Sequence, residues 1–470
     1  MTMGYGLRRT AFDRSSYDFW TNRYQVVNVK DFGATGDGVH DDTAAIQAAF
    51  DAVASAGGGI TYLAAGTYLV SKRLVIGSKT VVTGEHRYAS TILAQTGGSW
   101  TAPTPATWPF ILGAVNGNQI TVQDLGINAN GQNASGICIV GGDDPVICNC
   151  FVFNGTAHTN IHFFGAQTTG VNPVRRGIMS SNVSDGSLYG FAWDGAVHAS
   201  TMQANHSINA AASHFSWDGR QGVAGGIVAG SAINNIVDDE KNPNALGSAM
   251  QCFDAYDAVV TNNIFTNLGQ PTYGIYGENY EGIIQGNTVS GRSGAVIGQA
   301  IHCNPFNSNP KTLAIVEANR IGFASVAFAN DGNGPTLWAN NVVDSASVNS
   351  IHSFAQPQFN IMRENYKLGD AGNTNIDLAQ PLISMSGPTA GTVFWQQPGR
   401  DPNRFLAYFD AYENDTTTNQ TITFPTAYTY TPTVSTNSTG LTVSASTTEL
   451  TITSPNSTTT YSGVVEVVGL

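Results

Sequence analysis

The side chains best suited to chemistry recur in one setting, at the ends of short apolar stretches through the middle of the chain. These stretches read NIHFFG (160–165), GFAWDG (190–195), HFSWDG (214–219), MQCFDAYD (250–257), GIYGEN (274–279), AIHCN (300–304), AFANDG (327–332) and SIHSF (350–354). If each is a β-strand, its side chains alternate between two faces. Take Ile161, Phe191, Phe215, Ile275, Ile301, Phe328 and Ile351 as inward. The third residue beyond each then points outward, giving Phe164, Asp194, Asp218, Glu278, Asn304, Asp331 and Phe354. Between Asp218 and Glu278 the register is ambiguous, and that stretch offers Asp254 or Tyr256. One step after the inward residue the row reads His162, Ala192, Ser216, Tyr276, His302, Ala329 and His352.

Stacked strands lie about 4.8 Å apart. Carboxylates on adjacent strands would be about 5 Å apart and those on next-but-one strands about 10 Å, separations that bracket those used to hydrolyse glycosidic bonds. In such a pair one carboxylic acid protonates the leaving oxygen while the other carboxylate attacks or activates water. Asp218, Asp254 and Glu278 are the catalytic candidates, with Asp194 next in line. His302, Tyr276, Tyr256, Trp217, Arg220, Asn304 and Asp331 are the candidate substrate contacts. Trp217 is in tension with the same alternation, which turns it and Trp193 inward. Asp194, Asp218 and Asp331 also have a plainer reading, because Asp before Gly is an ordinary turn signal. No cofactor and no metal ligand set is expected.

Such a row needs elements that stack. An Asn after a short apolar strand recurs at Asn149, Asn182, Asn205, Asn234, Asn262, Asn287, Asn319, Asn340 and Asn365. The spacing averages about 27 residues, within the range of solenoid repeats. Asn tolerates left-handed backbone better than other non-glycine residues, and stacked amides can bond from one coil to the next. The pattern predicts a parallel β-helix in which each Asn marks a corner between two strands, with the acid-bearing strand third in each coil.

The segment VNVKDFGATGDGVHDDTAAIQAAFDAVASAGGGITYLAAGTYLV (27–70) predicts a strand, a Gly/Asp turn, a helix near 41–56 and two further strands. Asp41 or Asp42 can accept from the free N–H groups at the helix start. Ala44, Ile46, Ala49, Phe50 and Val53 share one helical face. DFGATGDG (31–38), DDTAAIQAA (41–49), GGG (57–59) and AGTYLVS (65–71) closely resemble the opening of the pectate-lyase-like superfamily, related to glycoside hydrolase family 28 and including phage tailspike depolymerases. The resemblance covers about a tenth of the chain and is specific for fold rather than reaction. It implies a right-handed parallel β-helix whose open end is plugged by this helix, a polysaccharide substrate on the third sheet and, from the tailspikes, a homotrimer. The paired-Asp and GHG pattern of polygalacturonases is missing, as are the YGFDPH pattern of alginate epimerases and the Arg-rich calcium groove of pectate lyases.

Composition narrows the partners. The net charge is −13, with Lys and Arg numbering 20, which argues against nucleic acid. No apolar run is long enough for a membrane span, and no signal-peptide core precedes the helix. An extracellular or virion-associated location is expected. Five cysteines, an odd number without a CxxC pair, argue against a disulfide framework. Beyond Asn365 the repeat fades. TITFPTA (421–427), LTVSAST (441–447), ELTITSP (449–455) and YSGVVEVVG (461–469) alternate with period two and predict a small antiparallel β-sandwich. The expected layout is an extension over 1–25, the β-helix over 26–383, a connection over 384–407 and the sandwich over 408–470. Three functions compete: a glycoside hydrolase, favoured by the low basic content; a polysaccharide lyase with a base such as His302 or Tyr276; and a non-catalytic glycan-binding spike.

Overall fold

A computed structural model describes residues 26–102, 104–105, 108–166, 169–219, 226–238, 247–269, 271–305, 314–330, 336–344, 348–354, 360–368, 375–378, 390–396, 404–413, 420–423, 430–436, 442–453 and 461–468. The expected extension over 1–25 lies outside them, as do Arg220 and Asp331.

Parallel β-solenoid, about ten turns of it, dominates the chain, in two compact units that divide between Ser187 and Leu188. Parallel strands joined by crossovers adopt the right-handed connection almost without exception. In the first unit the helix Thr43–Ser55 buries Ile46, Ala49, Phe50 and Val53 completely. It packs against the strands Val26–Asn28, Gly59–Leu63, Gly66–Lys72, Leu74–Val75 and Thr80–Gly84. Ala44 departs from expectation and is exposed. The two aspartates divide their work. Asp41 Oδ1 accepts from Thr43 N at 3.0 Å, whereas the buried Asp42 turns back to Thr35 N at 2.7 Å and Gly36 N at 3.0 Å, tying the preceding turn. Gly58, at φ +123°, follows the helix where a Cβ would sit 2.5 Å from Lys79 O. All five cysteines are free thiols. Among the described residues no helix is long and apolar enough to cross a membrane.

In the second unit the corner asparagines form a ladder, and the register corrects the sequence reading by one residue at several coils. The buried column is Asn205, Asn235, Asn263, Asn287, Asn319, Asn341 and Asn365. Each Oδ1 from Asn235 to Asn365 accepts from both the backbone N–H and the side-chain amide of the Asn one coil before, as Asn287 does from Asn263 at 2.9 Å each. Asn234, Asn262 and Asn340 sit one residue earlier, in the left-handed region at φ near +55°. Sequence repetition had merged two adjacent columns, because most coils spell the corner Asn-Asn or have one Asn at either place. A buried amide column persists only when its donors and acceptors are paired, and here each coil supplies the next coil's partner.

The C-terminal region is antiparallel. One sheet orders Ala390–Gln396, Arg404–Glu413, Tyr461–Val468 and Thr433–Thr436; another orders Gln420–Thr423, Glu449–Thr453 and Thr442–Ala445. Two of these strands, Ala390–Gln396 and Arg404–Glu413, begin inside the segment expected as a connection, so antiparallel pairing starts before residue 408.

Candidate active site

The site is built from the third strands of the second unit. Register pairs Phe215 with Met250, Ile275, Ile301 and Phe328, all completely buried. One residue on, Ser216, Gln251, Tyr276, His302 and Ala329 form the first outward file. Two residues further, Asp218, Phe253, Glu278 and Asn304 form the second. Asp194 joins that file, because Phe191 stacks on Phe215 at 5.1 Å and Trp193 on Trp217 at 4.9 Å, which sets Asp194 beside Asp218.

Asp194, Asp218, Glu278 and Asn304 are all partly exposed along one face. Asp218 and Glu278 are separated by one intervening strand, about 9.6 Å from the usual strand spacing. The residue between them is Phe253, only 6% exposed. Tyr276 donates from its hydroxyl to Glu278 Oε2 at 3.2 Å, and His302 Nε2 lies 2.9 Å from Asn304 Oδ1. The Tyr273 ring stacks on Tyr276 at 4.2 Å, and His302 meets both rings, at 5.2 and 5.0 Å. Gln251 donates to Ser216 Oγ at 2.6 Å. Gln251, Tyr273 and Tyr276 are partly exposed beside the carboxylates, whereas Ser216, His302 and Ala329 of the first file are buried.

Three sequence expectations change. Asp254 is not in the outward file, because Phe253 takes the place between Asp218 and Glu278. Asp254 follows in a left-handed corner, φ +48°, and accepts from Asn279 Nδ2 at 2.7 Å. A Cβ on Gly226 would stand 2.2 Å from its carbonyl oxygen, so this corner is packed backbone to backbone. Trp217 is completely buried in its stack with Trp193 and offers no face to a sugar; the period-two alternation was the sounder guide. His352 pairs with Phe328 and Ser353 with Ala329, so His352 falls in the inward residues' column. Tyr256 lies beyond the Asp254 corner, and burial, with the charges of Asp254 and Glu281, holds its hydroxyl above the ordinary tyrosine pKa. Gln251 and Tyr273 were missed as first-file and flanking residues. The regular alternation of MQCFD would have found Gln251, but Tyr273 depends on where the chain enters its strand.

The first unit carries an apolar cluster of its own. Phe110, Cys138, Val140, Phe164 and Val171 form a buried cluster with Trp108 packed against it. His162, fully buried, meets Trp108 and Phe164 edge-on at 5.9 and 5.7 Å.

Residues 26–211 match the family described as "Rhamnogalacturonase A/epimerase, pectate lyase-like". The chain is 75% identical over 44 residues to mannuronan C5-epimerase AlgE5 of Azotobacter vinelandii, a stretch covering 9% of this chain and 4% of the epimerase. It is 53% identical over 56 residues to plasmin and fibronectin-binding protein A of Streptococcus pneumoniae, covering 12% and 8%. The segments it shares with these curated relatives are thus under a tenth of their length. The matching stretch occurs both in an epimerase and in a protein named for binding, so it does not single out an activity. Among solved structures, the A-module of A. vinelandii mannuronan C-5 epimerase AlgE6 superposes with a TM-score of 0.53 at 16% identity, covering 73% of this chain and 99% of the module.

Proposed function

We propose that the chain is a polysaccharide-degrading enzyme, a glycoside hydrolase working on the open face of the second unit. The observation that carries this reading is the register, with Asp218 and Glu278 on next-but-one strands of one exposed face. Their backbone spacing of about 9.6 Å is near the upper end of the roughly 6.5–9.5 Å between carboxyl groups that admits a water in inverting hydrolysis. Tyr276 donates to Glu278 Oε2 and orients that carboxyl group; Glu278 is assigned to activate water and Asp218 to protonate the leaving oxygen. Asp194, one strand from Asp218, extends the file, and Asp254 acts through Asn279 as a support of the corner. The Tyr273–Tyr276 stack offers a ring surface and Asn304 a polar contact, with the buried His302 against both rings. Arg220 and Asp331 are kept as contacts from the adjoining segments. Among the described residues of the two outward files there is no Lys or Arg, whereas elimination from a uronate needs its carboxylate neutralised. A glycan substrate of this kind fits an extracellular or virion-associated protein.

A second reading has its own observation: Tyr276 and His302 rings 5.0 Å apart on neighbouring strands, the groups a polysaccharide lyase would use as acid and base. Incubation with a panel of polysaccharides separates these readings. Hydrolysis produces reducing ends without an ultraviolet-absorbing unsaturated product, and Glu278→Gln or Asp218→Asn lowers the rate about 10²–10⁴-fold. An unsaturated product, with activity lost in Tyr276→Phe and kept in Asp218→Asn, replaces hydrolysis by elimination. Binding without shortening of any polymer removes both and leaves a glycan-binding spike.

A further inference from the structure

The first unit exposes an aromatic platform on the strand that follows the Asn149 corner. Along Phe151–Gly165 the inward Val152 is completely buried, whereas Phe151 and Phe153 point outward and are partly exposed. Their rings stack at 4.6 Å, 12° from parallel. Register places Gly126 beside Phe151, and Thr91 beyond Gly126. With no side chain at 126, the turn over 85–89 lies directly on the sheet; a Cβ there would stand 2.8 Å from Arg87 O and 2.9 Å from Thr91 Oγ1. From this turn Tyr88 meets Phe151 edge-on at 5.4 Å, yet stays 60% exposed. The Arg87 guanidinium lies 5.1 Å from the centre of the Tyr88 ring. The turn is pinned on every side. Ala89 N and Ser90 N donate to His86 O at 2.8 and 3.0 Å, Ser90 Oγ donates to Leu63 O and accepts from Glu85 N at 2.9 Å each, and Arg87 Nη1 donates to Ser181 O at 3.0 Å. An exposed ring on a fixed turn is already ordered for a ligand, so binding costs little conformational entropy there.

Size and chemistry select the occupant. An aromatic side chain covers about 150–250 Å² when fully buried, so these three, partly exposed, offer about 200–300 Å² together. A stable protein partner needs about 800 Å² on each side. The platform is too small for that and fits a short run of sugar residues. The negative face of an aromatic ring attracts the C–H hydrogens of a sugar, and the hydroxyls need donors and acceptors at the rim. Amides supply both: Asn128, in register with Phe153, accepts from the exposed Asn154 Nδ2 at 3.1 Å. We infer that this platform is a second, non-catalytic glycan-binding site, with Tyr88 and Phe151 as its stacking rings. Only the ligand class is shared with the proposed function. Asp218 and Glu278 belong to the second unit, whereas every residue of the platform belongs to the first.

Affinity electrophoresis of the full chain through gels containing dextran, xylan or alginate tests this, in an Asp218→Asn background so that the polymer persists. For the polymer that retards this parent, Tyr88→Ala and Phe151→Ala should each raise the dissociation constant about fivefold or more, as loss of an aromatic anchor does. Tyr88→Phe keeps the ring and should keep the affinity, and far-ultraviolet circular dichroism should be unchanged in all three. Tyr276→Ala, on the face of the second unit, is the reference. Retardation lost in Tyr276→Ala and untouched in Tyr88→Ala overturns the platform and leaves the proposed function standing. Retardation lost in Tyr88→Ala alone, with no polymer cut by the wild-type chain, upholds the platform and removes the hydrolase. A parent retarded by none of the three polymers overturns the platform. So does a sedimentation mass that falls in Tyr88→Ala, because the ring would then be a contact between copies.

Discussion

Asn287→Ala removes one rung from the buried ladder. Its Oδ1 accepts from Asn263 N and Nδ2, both at 2.9 Å, and its Nδ2 donates to Val260 O at 2.9 Å and Asn319 Oδ1 at 3.0 Å. Some partners keep a bond after truncation: Asn263 Nδ2 still donates to Ala232 O, and Asn319 Oδ1 still accepts from the backbone at 287. The Asn263 N–H loses its partner in a buried setting, and the bond to the Val260 carbonyl is lost as well. At about 1–3 kcal/mol for the unsatisfied N–H and about 1 kcal/mol for the lost bond to Val260, the expected loss is about 2–4 kcal/mol. That is a large share of a typical folding free energy of about 5–15 kcal/mol. The control is Asn262→Ala, one residue away in the left-handed corner, where the backbone preference alone costs roughly 1–2 kcal/mol. Equilibrium guanidinium unfolding followed by circular dichroism reads both, with the slope unchanged if only stability moves. If Asn287→Ala costs no more than Asn262→Ala, the ladder does not hold the coils in register and the reasoning fails. Because that register aligns Asp218 with Glu278, the same variant should lose hydrolytic rate before it loses its fold.

The first-unit surface titrates in a defined direction. Backbone N–H groups of His40 and Val39 hold Asp37 below the usual carboxylate range, and its hydrogen bond raises His40 above 6.5. A raised histidine contributes stability that is present below its unfolded pKa and fades as pH rises through the folded one; a lowered aspartate contributes above its unfolded pKa and fades as pH falls through the folded one. The pair is therefore strongest between those limits, and Asp37→Asn should bring the His40 midpoint in an NMR titration back toward 6.5. An unchanged midpoint contradicts the pairing. Burial, with a smaller push from Asp124, lifts the Cys148 thiol to about 11. Iodoacetamide should thus label Cys148 far more slowly in native protein than in guanidinium, and equal rates would show that the site is open.

Period and turn chemistry were local properties, and the sequence alone carried them: the helix face of Ile46, Ala49, Phe50 and Val53, the recurring corner asparagines, the inward Phe215, Ile275, Ile301 and Phe328, and the outward Asp218 and Glu278. The coil carrying Asp254 was not legible, because MQCFDAYD has acids at two places and only pairing with strands on both sides seats Phe253 in the file. Trp217 illustrates the same limit, since an aromatic beside an acid reads equally as core or contact until its neighbours are stacked upon it. The asparagine columns were merged because one residue separates a solvent-facing left-handed corner from a buried amide rung, a distinction that exists only where one coil lies on another. Tertiary structure also decided burial at outward positions: in the first unit Val140 and Phe164 lie in a buried apolar cluster, which strand alternation alone does not announce.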